Sequence, residues 1–225
     1  MLEVILDTET TGLSTKQNHR IVEIGCLEIN DHIPTNNEFH TYVNPERAIS
    51  DDAFKVHGYS EKFLSKKKTF KQISETFLNF IKNKKLIIHN APFDLAFLNY
   101  ELKLCKKDEI KSKDVTDTLE LARTKFPGSQ NSLDALCKRF KIDNSKREKH
   151  SAMLDCKLLL EVYINLVDQK EPKFNFEKEE NANALIDTNL KKAFNYSKKI
   201  VKLTDEELQK HQLFLKTNLK KNFYK

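Results

Sequence analysis

Two carboxylates placed directly after an apolar strand constrain this chain more than any other feature. Leu2–Leu6 form a short apolar run typical of a buried strand, and Asp7 and Glu9 follow it at positions i and i+2. Side chains alternate across a strand, so both carboxylates are expected on one face. They repel each other and are costly to desolvate, and a divalent cation such as Mg²⁺ between them removes both costs. The alternative is a strand that runs out into a polar turn at Gly12.

Composition indicates one globular domain with an appendage. The chain has 225 residues, of which 39% are hydrophobic. It contains no run of about 18 apolar residues, so we expect no membrane span. The first apolar run stops at Asp7 without a preceding basic segment, so we expect no secretory signal and a cytoplasmic protein. The four cysteines form no Cys-x-x-Cys pair, which favours free buried thiols: Cys26, Cys105, Cys137 and Cys156.

Positive charge is concentrated at the end of the chain. The net charge is +6, and residues 169–225 contribute 13 lysines against 8 acidic residues. The first 168 residues are therefore nearly neutral. A basic tail suits an enzyme that acts on nucleic acid. The alternative is that the charges serve only to keep the tail soluble.

The order of hydrophobic patterns predicts an α/β fold. Three strands come first without helices between them, which indicates an antiparallel meander, and helices then alternate with strands. The predicted strands are 2–6, 21–29, 38–43, 86–89 and 115–116, and the predicted helices are 70–81, 92–104, 117–126, a short one after Ser132, and 151–167. This order gives a mixed sheet flanked by helices.

The chain is predicted to divide into three parts. Residues 1–168 form the α/β domain, and residues 169–203 are polar and aperiodic, as expected of a flexible linker. Residues 204–225 form a helical tail, in which Thr204 and Glu207 make a capping box. Three leucines of this helix fall within one narrow stripe: Leu208, Leu215 and Leu219.

Two further acids occupy positions where a globular core would not place them. Asp155 falls in the middle of the apolar face of the helix 151–167, where it must be neutralised, bound to a metal, or paired with a lysine or arginine. Asp94 lies one turn before Phe97 and Leu98, near the start of a helix. It is either another acid of the metal site or a residue whose charge interacts favourably with the helix dipole.

His150 precedes Asp155 by five residues and is predicted to lie in the loop that enters the helix. A histidine at the edge of an acidic site suits a general base, although a lone surface histidine is more often inert. Asp117 is interpreted mainly as a helix cap. His57, which precedes Gly58, is ambiguous from spacing alone.

Three motifs in this order resemble those of the DEDDh 3′→5′ exonucleases. They are Asp7-Thr8-Glu9-Thr10-Thr11-Gly12, His89-Asn90-Ala91-Pro92-Phe93-Asp94 and His150-x4-Asp155. Segments 54–58, 131–137 and 142–147 are similar to the proofreading (epsilon) subunits of bacterial DNA polymerase III, and the likeness covers about residues 3–167. It reappears at residues 203–207, which are similar to the polymerase-binding tail of those subunits. Ser151 stands where the sister subtype has tyrosine, so the histidine subtype is indicated.

The resemblance implies a ribonuclease H-like five-stranded mixed sheet and a set of residue roles. Asp7, Glu9 and Asp155 would bind one of two divalent ions, Mg²⁺ or Mn²⁺, and Asp7 would also bind the second. Asp94 would support the site through water, and His150 would be the base. The substrate contacts implied are Asp7, Glu9, Thr10, Thr11, Leu13, Asp52, His57 and Asp155. Asp52 departs from the family pattern, which has glutamate there.

The implied function is proofreading: hydrolysis of mispaired 3′-terminal nucleotides of DNA to 5′-monophosphates. The implied partners are the polymerase catalytic (alpha) subunit, bound by the tail, and a small accessory (theta-like) subunit. Residues 169–174 have the glutamine and aromatic spacing of a sliding-clamp peptide, although Pro172 stands where an aliphatic residue is usual and an ordinary linker is the alternative. A free-standing RNA-trimming exonuclease and a mainly structural bridge within the polymerase are the other functions considered. The capped amphipathic tail favours proofreading.

Overall fold

The computed structural model of this protein describes residues 2–145, 147, 149–167 and 204–218. The chain divides into two units, Met1–Phe174 and Asn175–Lys225. The predicted linker, residues 169–203, lies outside the described residues.

Five strands form one mixed sheet, as predicted. They are β1 (Leu2–Thr10), β2 (Ile21–Asn30), β3 (Ile33–Tyr42), β4 (Lys85–Ile88) and β5 (Val115–Asp117), in the spatial order β3-β2-β1-β4-β5. The first three strands form the expected antiparallel meander. β4 and β5 run parallel to β1. The carboxyl ends of β1, β4 and β5 therefore meet at the same edge of the sheet.

Helices cover both faces of this sheet. Those described in the first unit are α1 (Asp51–His57), α2 (Glu61–Leu64), α3 (Phe70–Ile81), α4 (Ala91–Leu104), α5 (Thr118–Lys125), α6 (Leu133–Phe140) and α7 (Ala152–Leu166). Val4 and Leu6 of β1 pack into a core with α3 and α4, whereas Ile5 packs into a second core with α5, α6 and α7. Alternate side chains of β1 thus contribute to the two cores. The same alternation determines which helices the residues that follow in β1 face.

Several element boundaries differ from the prediction. β1 continues through Asp7 and Glu9 to Thr10, because this stretch keeps its ladder with β2 up to the pair of Thr10 with Ile21. β3 begins at Ile33 rather than at residue 38, and its first residues are exposed on an edge strand, so they carry no hydrophobic signal. α1 and α2 were not predicted. Both are short, and each buries a single side chain, so neither has a helical apolar period.

Capping residues fix the helices that carry the predicted motifs. Asp117 caps α5 by accepting from Leu119 N at 2.9 Å, and it also accepts from Asn90 N at 3.0 Å. Ser132 caps α6, and Ser151 is the N-cap residue of α7. α7 therefore begins at Ala152, which leaves His150 in the preceding loop as predicted.

In the second unit, α8 spans Asp205–Asn218. The predicted capping box is present: Thr204 N donates to Glu207 Oε2 at 2.9 Å, and Glu207 N donates to Thr204 Oγ1 at 3.4 Å. Leu208 is half-exposed. The side chains of the other two stripe residues, Leu215 and Leu219, lie outside the described part of the chain. Within the described residues, no helix is long and apolar enough to cross a membrane.

Candidate active site

The carboxyl end of β1 presents Asp7 and Glu9 to the first turn of α7. Both lie on the same face of β1 as Ile5, which packs against α7. Asp155 projects from that helix toward them. Glu9, His150 and Asp155 each offer one ligand atom, and these atoms lie within 4.8 Å of one another. Asp7, Glu9, Asp94, His150 and Asp155 line one shared cavity of about 660 Å³. The structure therefore gathers residues that are up to 148 positions apart in the chain into one site.

Asp94 reaches the same site from the opposite face of the sheet. It lies in the first turn of α4 and is almost fully buried. Its Oδ1 accepts from the Thr8 hydroxyl at 2.6 Å and from Thr8 N at 3.1 Å. Thr8 lies on the face of β1 that packs against α4. The sequence Asp7-Thr8-Glu9 therefore places two carboxylates on one face of the sheet and, between them, a threonine that binds Asp94 of α4 on the other face. The spacing of the acids alone did not indicate this role of Thr8.

The buried carboxylates give the site an excess of negative charge, and burial and neighbouring charges raise their pKa values. Burial, together with the charges of Asp155 and Glu23, raises the pKa of Glu9 to about 8, and the charge of Arg147 opposes this rise. Burial also raises the pKa of Asp7 well above its usual range, helped by the neighbouring Asp94, Glu9 and Asp155. Burial holds the pKa of Asp94 at about 7, despite its two hydrogen bonds from Thr8. A divalent cation would relieve this repulsion, and carboxylate oxygens are the ligands that Mg²⁺ and Mn²⁺ prefer.

Asp155 also forms an ion pair with an arginine, Arg147, which was one of the alternatives that the sequence left open. Arg147 Nε lies 2.6 Å from Asp155 Oδ1, and Arg147 Nη2 lies 2.7 Å from Asp155 Oδ2. This is the bidentate geometry in which a guanidinium and a carboxylate interact most strongly. The two interpretations of Asp155, as a member of the carboxylate cluster and as half of an ion pair, are therefore both seen in one arrangement.

His150 is held at the rim of the cluster. Its backbone N donates to Val56 O at 3.1 Å, which ties the loop to the end of α1. The His150 ring is half-exposed, and its Nδ1 lies 3.6 Å from Asp155 Oδ2 and 2.9 Å from Arg147 Nη2. Partial burial and the Arg147 charge lower the pKa of His150. The ring is thus kept neutral, which is the form that can accept a proton.

Glu23 is a further buried acid, whose role sequence reasoning missed. It lies on β2 directly opposite Glu9, and its carboxylate accepts from His40 Nε2 at 2.7 Å and from the Tyr59 hydroxyl at 2.8 Å. It also accepts from the Ser151 hydroxyl at 3.1 Å and from Ala152 N at 3.0 Å. Glu23 therefore fastens the first residues of α7 to the sheet. Its position as one of two acids within the apolar stretch Ile21–Ile29 was the available signal.

A second cavity, of about 520 Å³, adjoins the carboxylates. Its lining includes five of the residues predicted to contact substrate: Glu9, Thr10, Leu13, Asp52 and His57. His57 is buried, and its Nδ1 accepts from Tyr59 N at 3.0 Å, while its Nε2 has no hydrogen-bond partner among the described residues. Leu13 is 85% exposed, and the side chain of Asp52 is 94% exposed and paired with Lys55. The lining of the cavity thus includes a buried histidine and an exposed leucine.

Thr11 does not line either cavity. Its side chain is fully buried beside the segment 19–20, where its hydroxyl lies 3.0 Å from His19 Nδ1 and accepts from Arg20 N at 3.0 Å. The register shift between Glu9 and Thr10 turns the chain at this point. Thr11 therefore orders the turn after β1, and its predicted contact with the nucleotide stays a prediction.

Comparison with known proteins gives a consistent picture. The family model described as Exonuclease matches residues 4–163. The chain is 49% identical over 222 residues to DNA polymerase III subunit epsilon of Rickettsia felis, covering 97% of each sequence. It is 41% identical over 221 residues to the Escherichia coli K12 protein of the same name, covering 93% of this chain and 90% of that one.

Two solved structures show the same fold. Exonuclease X, in complex with 5′ overhanging duplex DNA, is 26% identical with a TM-score of 0.59, covering 74% of this chain and 92% of that one. The nuclease domain of 3′hExo, a DEDDh family member bound to rAMP, is 20% identical with a TM-score of 0.65, covering 75% and 92%. At that identity the second likeness speaks for the fold alone.

Proposed function

This chain belongs to the exonuclease family and, within it, to the DNA polymerase III epsilon subunits, and from that premise we propose how its site carries out proofreading. The protein is a 3′→5′ exonuclease. Its task is to remove mispaired nucleotides one at a time from a 3′ end of DNA and to release them as 5′-monophosphates. The observation that supports this most strongly is the convergence of Asp7, Glu9, Asp94 and Asp155 with His150 beside a nucleotide-sized cavity.

The carboxylates are proposed to hold two divalent ions. Asp7, Glu9 and Asp155 would hold one ion, Asp7 would also hold the second, and Asp94 would support the site through water. Either Mg²⁺ or Mn²⁺ suits these oxygen ligands. When bound, such a pair lowers the pKa of a water molecule and neutralises charge on the leaving 3′ oxygen. The raised pKa values of Asp7 and Glu9 support this assignment, because they arise from burial and from neighbouring carboxylates, and a bound cation would offset both.

His150 is proposed as the general base. It lies at the rim of the cluster on a loop that is tied to α1 and followed at once by α7, so it can approach a water molecule beside Asp155. The neutral ring accepts the proton of the attacking water and passes it to solvent. Thr8 and Glu23 do not take part in the chemistry. They fix the helices that carry Asp94 and Asp155.

The cavity beside Glu9 is proposed to receive the terminal nucleotide. His57 Nε2 is a buried atom that still needs a partner, and a hydrogen bond to the nucleotide would satisfy it. Thr10 and Leu13 would contact the sugar and the base. Asp52 lies at the rim, and its carboxylate is one carbon shorter than the glutamate that the family has there. We therefore expect Asp52 to contribute less than His57.

The tail is proposed to attach the enzyme to the polymerase catalytic subunit. α8 carries half-exposed and exposed apolar side chains on a short capped helix: Leu208, Leu213 and Phe214. A single helix of this length is marginal in water, so it gains most from docking on a partner. A flexible segment 169–203 would keep the active site near a frayed primer end by raising its effective concentration. Contacts of residues 169–174 with a sliding clamp, and of the catalytic domain with a theta-like subunit, are further proposals.

Nucleotide release from matched substrates tests this function. We expect Mg²⁺-dependent release of 5′-monophosphates, faster from a primer with a mispaired 3′ end than from a fully paired one, and loss of activity in EDTA. The Asp155→Ala variant provides the background rate. Preferential digestion of RNA would instead indicate a trimming enzyme, which the fold equally allows. Absence of metal-dependent release from any substrate would leave only a structural role within the polymerase.

A further inference from the structure

One arginine joins three parts of the candidate site. Arg147 lies in the loop between α6 and α7, and its side chain is only 7% exposed. Its Nε and Nη2 donate to the two oxygens of Asp155 at 2.6 and 2.7 Å. The same Nη2 lies 2.9 Å from His150 Nδ1, and Nη1 donates to Asp134 Oδ1 at 2.7 Å. The guanidinium thus bridges the carboxylate cluster, the proposed base and Asp134, a more exposed acid in the lining of the same cavity.

The contact with His150 determines the state of that ring. A guanidinium has only donors and stays protonated, so Nδ1 must be the acceptor. A neutral ring that accepts at Nδ1 carries its proton on Nε2. Neither nitrogen then has a free lone pair, and His150 cannot take a proton from water while Arg147 remains in this position.

The contact with Asp155 has a similar consequence for cations. Both Asp155 oxygens already accept a charge-assisted hydrogen bond, and a divalent ion approaching them meets a fixed positive charge a few ångströms away. Arg147 therefore competes with a divalent ion for Asp155, through its charge and through the lone pairs that it occupies. In the absence of metal the same guanidinium offsets part of the repulsion among the acids, and it lowers the pKa of Glu9 against the other influences on it.

Asp134 provides a position to which Arg147 can withdraw. It lies in the first turn of α6, and its side chain is 56% exposed, in contrast to the buried Asp155. Its Oδ1 already accepts from Arg147 Nη1 and also from Asn144 Nδ2 at 3.1 Å. A rotation of the Arg147 side chain toward solvent would keep the Asp134 contact while releasing both Asp155 and His150.

We propose that Arg147 is an internal counter-ion of the active site, which pairs with Asp155 and covers His150 until divalent cations displace it onto Asp134. Arg147 is thus a positioning residue that keeps the metal-free site ordered and unreactive, and it couples cation binding to the release of the base. The inference rests on the metal site proposed above, and it adds a competitor for that site from the chain itself.

Calorimetric titration with Mn²⁺ alone, without DNA, tests the competition. The Arg147→Gln variant removes the competing charge and is expected to bind Mn²⁺ about tenfold to a hundredfold more tightly than the unchanged protein, the range that charge-assisted hydrogen bonds span. Asp134→Asn removes the alternative partner of Arg147 and is expected to bind Mn²⁺ a few-fold more weakly. An arginine that does not compete with the cation would change Mn²⁺ affinity no more than the loss of any other positive charge on the same surface, which the control variant measures.

The matched control is Lys138→Gln, which removes one positive charge from an exposed position on α6 and should leave Mn²⁺ affinity unchanged. Equal or weaker Mn²⁺ binding by Arg147→Gln would overturn the inference while leaving the proposed metal site intact. If that variant does not fold, the sign of the Asp134→Asn effect decides in its place, and tighter binding or no change would overturn the inference. No Mn²⁺ binding by the unchanged protein would refute the metal site itself.

Discussion

Replacement of Gly25 by alanine should move the helix that carries Asp155. Gly25 lies on β2, and a Cβ atom added there would be 2.6 Å from the carbonyl carbon of Ala152 and 2.8 Å from its oxygen. The first of these contacts is about 0.8 Å shorter than the 3.4 Å at which ordinary van der Waals contact begins. The obstacle is helix backbone, which cannot rotate away as a side chain could. The first turn of α7 must therefore shift by a similar distance.

The shift has a cost in stability and a cost in rate. Overpacking of this kind lowers the free energy of unfolding by about 1–3 kcal/mol. A catalytic group misplaced by about 1 Å can reduce the rate about 10²-fold. Asp155 lies three residues beyond Ala152, and Ala152 N is itself bound by Glu23, so the displacement also pulls on that anchor. We therefore expect kcat on single-stranded DNA to fall about 10²-fold at saturating Mg²⁺, with a moderate loss of stability.

Gly128→Ala is the matched control. Gly128 has a φ of +73° with nothing near its added Cβ, so alanine there incurs only the left-handed backbone strain, about 1–2 kcal/mol. Urea denaturation should show similar losses of stability for the two variants, while steady-state kinetics should show a loss of kcat for Gly25→Ala alone. The reasoning is refuted if both variants keep kcat within a few-fold of the unchanged enzyme, or if both lose it equally.

Four other outcomes follow from the site and the tail. Asp155→Ala should abolish nuclease activity with Mg²⁺ present and keep the native circular dichroism spectrum, and retained activity would contradict the metal assignment. His150→Gln should lower kcat about 10²–10⁴-fold with little change in Mn²⁺ affinity, and an unaltered pH–rate profile would contradict its role as base. Glu23→Gln keeps the shape of the side chain but weakens the hydrogen bonds to α7, so kcat should fall about tenfold while KM is unchanged; an effect on KM alone would exclude a positioning role. Truncation after Val167 should leave activity on single-stranded DNA intact and abolish co-elution with the polymerase catalytic subunit, and Leu208→Lys with Leu215→Lys should do the same; co-elution of the truncated protein would place the contact elsewhere.

Much of the architecture was readable because local patterns and tertiary packing agree. The helices α3, α4 and α7 bury apolar residues, and their predicted ends fall within a residue or two of the observed ones. α1 and β3 were missed or shortened because they bury little. Periodicity reports burial, so an element that is mainly exposed leaves almost no trace in the sequence.

Some residues of the candidate site could be identified from local sequence patterns, and others only from the packed structure. Asp7 and Glu9 were identified by local spacing, and Asp155 by its conflict with an apolar helix face. Thr8, Glu23 and Arg147 were not, because their roles depend on partners 86, 128 and 8 residues away that a linear pattern does not connect. Thr11 shows the converse case, since a residue inside the motif faces away from the cavity after a register shift.

The sequence by itself determined which residues carry charge where a core would exclude it, and hence where a cation site was to be expected, near the end of the first strand. The tertiary structure decided how those charges are arranged. The strand alternation of β1 points Thr8 toward Asp94 and its neighbours toward α7, and the loop before α7 brings Arg147 onto Asp155. The physical reason is that burial makes an isolated acid costly wherever it lies, which the sequence records, whereas the choice among cation, arginine and helix N–H as its partner depends on distances that only the packed chain sets.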